Sequence, residues 1–214
     1  MDVTFKRTGA RRYAVNVHVS GRPIQMMDPA PGFDDHIPHD LVHYVVEAEL
    51  GLVAGVFGRA ADGGGNFYQA PLDGASARER ARQQRKQRRR EAQLGSNQVN
   101  QRELSHSERL AGLCDVAWRR RHGQRPDPAR FRDAGPLSND ERAQIERVLT
   151  PLDRLASIWH ELPVGGELVL TWPSLTPARV NAAAQPLSGP PSLVTRATKS
   201  IIDDLLGPSF QDGS

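Results

Sequence analysis

The stretch that most constrains the fold is residues 31–59, PGFDDHIPHDLVHYVVEAELGLVAGVFGR, where apolar density, turn formers and titratable side chains coincide. Pro38 suits the start of a helix, because its ring holds φ near the helical value and its missing N–H would have had no partner there. Gly51 suits the stop. Between them Leu41, Tyr44, Val45 and Ala48 gather on one side at helical spacing, with Val42 and Val46 flanking them. That side is expected to be core. The remaining arc carries His39, Asp40, His43 and Glu47, since residues four apart lie almost above one another, and it is expected to face outward.

Two imidazoles and two carboxylates on one edge admit two explanations. In the first, Asp40 sits in the opening turn because unpaired amides and the positive end of the helix dipole favour an acid there, and the histidines meet neighbouring carbonyls or rings. In the second, His39 and His43 are paired metal ligands. The run His39-Asp40-Leu41-Val42-His43 resembles the HExxH signature of zinc-dependent peptidases, in which both histidines bind the metal and the adjacent acid is the general base. That resemblance implies zinc as the cofactor, His39 and His43 as ligands and Asp40 as the base. It departs at Asp40, where Asp stands for Glu and draws the carboxylate back by about 1.5 Å. Glu47 is the candidate third ligand or alternative base, with His36, Asp34, Asp35 and His160 left open.

The block PHDLVHYVVE followed by GLVAGVFGR is also similar to one in small, functionally uncharacterised bacterial proteins, over about the first third of the chain. The resemblance implies a bacterial source and a folded N-terminal module, and it carries no activity.

Ahead of this block, VTFKR and RYAVNVHVS flank a turn at Thr8–Arg11, and Tyr13, Val15, Val17 and Val19 alternate with polar residues as a half-buried strand does. A β-hairpin is expected, with Ile24–Met27 as a third strand. Gly51, Gly55 and Gly58 supply tight backbone turns after the helix. No GxxxxGK[ST], GxGxxG or GxSxG pattern is present, so neither a phosphate-cradling loop nor a nucleophile elbow can be assembled from local spacing.

Charge is segregated rather than spread. Arg78 to Arg90, RERARQQRKQRRR, carries eight basic residues and one acid, whereas the whole chain is only +3. The remainder is therefore −4. The run has helix formers but no apolar stripe, so hydrophobic burial cannot dock it. Arg78, Arg82, Arg85, Lys86, Arg89 and Arg90 are the candidate anion-binding residues, because the guanidinium fork pairs with phosphate and carboxylate alike. A nucleic-acid backbone or an acidic protein surface is the expected partner. Without aromatics in the run, contact with nucleic acid would be electrostatic and blind to sequence.

Farther on, Ser105 and Glu108 match a capping box ahead of an amphipathic helix containing Leu110, Leu113, Cys114, Ala117 and Trp118. Ser138 and Glu141 match a second, opening a helix whose apolar face stays in phase from Ile145 to Leu162 across Pro151. These two are expected to pair antiparallel. Glu167–Trp172 reads as a strand joining the N-terminal sheet, residues 173–195 as a Pro/Ser-rich linker, and residues 196–207 as an amphipathic helix suited to a protein groove. The lone Cys114 cannot form an intramolecular disulfide, and no apolar segment is long enough to span a bilayer, so a cytoplasmic protein without membrane attachment is expected.

The expectation is an α+β chain: a hairpin and His/Asp helix module over 1–70, an Arg-rich arm over 71–101, a helical pair and strand over 102–172, then the linker and a tethered C-terminal helix. Two function classes follow. One is a binding or regulatory module for an anionic partner, and the other is a metal-dependent hydrolase.

Overall fold

A computed structural model of the chain describes residues 1–30, 36–64, 67–69, 82, 85, 89, 98–126 and 135–182. Strands β1 (Asp2–Gly9), β2 (Arg12–His18), β3 (Gln25–Met27), β4 (Tyr68–Gln69), β5 (Glu167–Thr171) and β6 (Pro177–Asn181) form one sheet in the order β4-β3-β2-β1-β5-β6. Every neighbouring pair is antiparallel. Chain α+β it is, and the strand nearest the N-terminus lies in the middle of the sheet.

Alternation fixes which side of the sheet is covered. Opposite partners share a face, so Val3 with Val17 and Leu170, and Phe5 with Val15 and Leu168, build one continuous apolar surface. All six are fully buried. The other face carries polar pairs such as Lys6 and Glu167, 3.1 Å apart, as expected of an antiparallel sheet with one solvated side. β6 falls within the stretch expected to be linker. Its Pro177 marks it as an edge strand, since proline cannot donate to a second neighbour.

Four helices complete the described fold: α1 (His39–Leu50), α2 (Val56–Ala61), α3 (Gln98–Arg121) and α4 (Asn139–Glu161). Pro38 is the N-cap of α1, and Gly51, at φ 69°, ends it by donating its N–H to the Glu47 carbonyl. Aromatic side chains join α1 to the sheet: Tyr44 meets Phe5 edge-to-face at 6.0 Å between ring centroids and Phe57 at 5.2 Å. From α4, Trp159 reaches Tyr13 of β2 at 6.2 Å. The sheet, α1, α3 and α4 therefore share one core.

Three expectations about the helices are corrected. α3 begins at Gln98, seven residues before the supposed capping box, and Ser105 lies inside it with its hydroxyl donating to the Gln101 carbonyl at 2.9 Å. That is the back-bonding available to a mid-helix serine, and Glu108 is left free to turn toward α1. Secondly, α3 and α4 run parallel. Arg109 pairs with Glu141, and twelve residues later on each helix Arg121 and His122 pair with Asp153. Tight helical hairpins need connections of about two to five residues, and residues 122–138 are long enough to carry the chain back along α3. Both helices run against α1, as His36 beside His160 and Glu49 beside Arg147 show. The Ser138–Glu141 capping box is present in full, and α4 continues through Pro151.

The third correction concerns the titratable arc of α1. Only His39 of the arc reaches solvent: every residue from Asp40 to Glu47 is buried, because α3 lies over that edge. The proposed C-terminal helix, 196–207, lies outside the described residues.

Candidate functional site

The seam between α1 and α3 gathers most of the buried polar groups: Asp40, His43 and Glu47 from α1, and Ser107, Asp115 and Arg119 from α3, with Tyr13 entering from β2. Half-buried His39 and exposed Glu108 stand at its rim. The two imidazoles meet edge-to-face at 4.8 Å, the close approach that their four-residue spacing allows.

Glu47 sits deepest, with no solvent exposure. Its Oε1 accepts from the Val56 amide at 2.6 Å and the Ser107 hydroxyl at 2.7 Å, and its Oε2 accepts from the Phe57 amide at 2.9 Å. These amides open α2, whose own N-cap is Gly55 and has no side chain to offer. Glu47 therefore caps α2 from another helix, supplying the acceptors that unpaired first-turn amides need. Gly55 is glycine for the same reason, because a Cβ there would lie 2.2 Å from the Glu47 carboxyl carbon. Burial pushes the Glu47 carboxyl up to about 7, although the Ser107 and backbone hydrogen bonds pull the other way.

His43 is 4% exposed. Its Nδ1 faces Glu47 Oε1 at 3.9 Å, beyond hydrogen-bond reach, and its Nε2 faces Glu108 Oε2 at 3.6 Å. Burial, then the neighbouring His39, hold it down to about 3, so it is a neutral ring at ordinary pH. His39 reaches the surface, with its side chain 28% exposed, and its Nδ1 lies 3.4 Å from Asp115 Oδ2. The other Asp115 oxygen accepts from Arg119 Nε at 2.7 Å in a buried pair. Asp40 accepts from the Tyr13 hydroxyl at 2.6 Å.

This geometry bears on the zinc arrangement residue by residue. His39 and His43 are brought together, and Asp40 is turned toward Tyr13. Glu47 has both carboxylate oxygens engaged by α2 and Ser107, which leaves it a cap. Among the described residues no group of three or more His, Cys, Asp or Glu is arranged to hold a metal ion. Asp34 and Asp35 lie outside those residues.

No family model, curated protein or solved structure matches the chain. What the seam does chemically thus follows from its own contacts, and those contacts are structural: a helix cap, a buried Asp–Arg pair, and two imidazoles set edge-to-face between carboxylates. Residue periodicity on α1 alone did not disclose Ser107, Glu108, Asp115 and Arg119. Their signal is on α3, where Ser107, Asp115 and Arg119 follow a four-residue step through Ala111, beside the apolar Leu110, Cys114 and Trp118.

The second candidate surface is the Arg-rich run. Arg82, Arg85 and Arg89 are helical and exposed. Steps of three and four residues place them on one stripe of a helix. Arg78, Lys86 and Arg90 lie outside the described residues. No described helix is long and apolar enough to cross a membrane.

Proposed function

We propose that the chain is a binding or regulatory module that engages an anionic partner through Arg78, Arg82, Arg85, Lys86, Arg89 and Arg90. One observation carries this reading: eight basic residues and one acid fall within 78–90 of a chain whose remainder is net negative. Arg82, Arg85 and Arg89 are each helical and exposed, which supports it. Guanidinium groups spaced in this way present planar donor forks to successive phosphates or carboxylates. The metal-hydrolase alternative built on His39 and His43 has less behind it, because Asp40 and Glu47 already have protein partners.

The test is binding measured against salt. If about five of these side chains contact phosphates of a duplex, log affinity falls against log salt with a slope near −4.5. Replacing the basic residues of 78–90 with Gln should weaken binding and make that dependence much shallower. A flat salt response in the parent, or unchanged affinity in the variant, refutes the proposal.

A further inference from the structure

The last turn of α3 and the residues after it hold a second concentration of positive charge: Arg119, Arg120, Arg121, His122 and Arg125. Some of it is explained locally. Arg119 is buried against Asp115, and His122 stacks on Trp118 with its Nδ1 2.8 Å from the Trp118 carbonyl, satisfying the helix end. Arg121 and His122 share the single carboxylate of Asp153, at 3.6 and 3.4 Å.

Arg120 and Arg125 are left over. Both are exposed, and among the described residues no carboxylate pairs with either. The helix dipole is already met by other cations, and Arg125 lies beyond the helix, so neither position needs a charge for stability. The surroundings are also informative. The large apolar side chains exposed in the described residues are Ile24, Val53, Val99 and Val164, none of them in this turn. A protein partner would need an apolar centre to desolvate, whereas a phosphate backbone binds through counterion release and needs only cations.

Resting on the anion-binding reading above, we infer that the turn at Arg120–Arg125 is a second contact for the same partner, and that this partner is a nucleic-acid phosphate backbone. Two exposed guanidinium groups at this turn, which pair with no carboxylate among the described residues, add to those of the Arg-rich run without reading base sequence.

The experiment uses the full chain and a short fluorescent duplex of mixed sequence, with anisotropy followed across salt concentrations, and polyglutamate as a second probe. Three proteins are compared: the parent, Arg82→Gln/Arg85→Gln/Arg89→Gln, and Arg120→Gln/Arg125→Gln. The inference expects duplex binding whose log–log salt slope becomes shallower by about 1.8 in the Arg120/Arg125 variant and by about 2.7 in the other. Thermal unfolding should be unchanged in both, since the substituted side chains are exposed. A slope in the Arg120/Arg125 variant that parallels the parent overturns the second contact and leaves the Arg-rich run standing. Binding of polyglutamate with none to the duplex overturns the nucleic-acid assignment alone. Binding to neither probe overturns both readings.

Discussion

Glu47 and His43 are adjacent on α1, buried to similar depth, and predicted to push stability in opposite directions as pH changes. The Glu47 carboxyl is raised from 4.5 to about 7, so the folded state holds its proton more tightly than the unfolded state. Its contribution is fully favourable below pH 4.5 and is lost as pH rises to 7. The His43 imidazole is lowered from 6.5 to about 3, so the folded state resists protonation. Its contribution is intact above pH 6.5 and is lost as pH falls toward 3. Where the windows overlap, from pH 4.5 to 6.5, each group changes stability by about 1.4 kcal/mol per pH unit with opposite sign, and the two cancel. Substituting one partner exposes the other. In Glu47→Gln, acidification from pH 6.5 to 4.5 should cost about 2 kcal/mol relative to the parent, and in His43→Gln it should gain about as much. Urea denaturation of the three proteins at several pH values across this window measures the difference. The remaining titratable groups are common to all three and drop out of the comparison. Parallel stability curves for parent and variants would refute the assignment of these shifts to burial in the α1–α3 seam.

Other outcomes follow from the same contacts. Gly55→Ala drives a Cβ into the Glu47 carboxylate, so α2 must shift, at about 1–3 kcal/mol by chemical denaturation and with faster hydrogen exchange at Val56 and Phe57. Phe5→Ala removes the ring that joins Tyr44 and Phe57 to the central strand and should lower stability by about 3–5 kcal/mol, whereas Val53→Ala, at an exposed site, should change it by less than about 0.5. Cys114 is fully buried, and burial pushes its thiol up to about 12, so a thiol reagent should label it only after denaturant is added. Ser138→Ala removes the acceptor for the Glu141 amide and should cost about 1 kcal/mol with little effect on the salt dependence of binding.

Local pattern and distant pairing contributed differently to what the residues disclose. The alternation of Tyr13, Val15 and Val17, the Pro38 and Gly51 boundaries of α1, and the unbroken apolar face of α4 each depend on neighbours within a few positions, and each is visible in the chain. The burial of His43 and Glu47 depends on α3, some sixty residues away for the Ser107 contact, and α1 periodicity alone reads that edge as solvent-facing. Ser105 and Glu108 satisfy the spacing of a capping box, but nothing between Gln98 and Gln101 breaks the helix, so the match is coincidental. The direction of α4 relative to α3 escaped because apolar periodicity has no sign; only the length of the 122–138 connection bears on it. Pro177 concealed β6, since proline signals an edge strand and a linker equally well.

The position of β1 has a consequence for synthesis. Asp2 and Thr171 are register partners separated by 169 positions, so β1 emerges from the ribosome long before β5 can close its second side. Until then the hairpin offers a naked ladder of amides and carbonyls and an uncovered Phe5, the kind of intermediate that sticks to other nascent chains. Yield on expression should therefore respond more to chaperone supply and translation speed than the finished molecule's interior would lead one to expect.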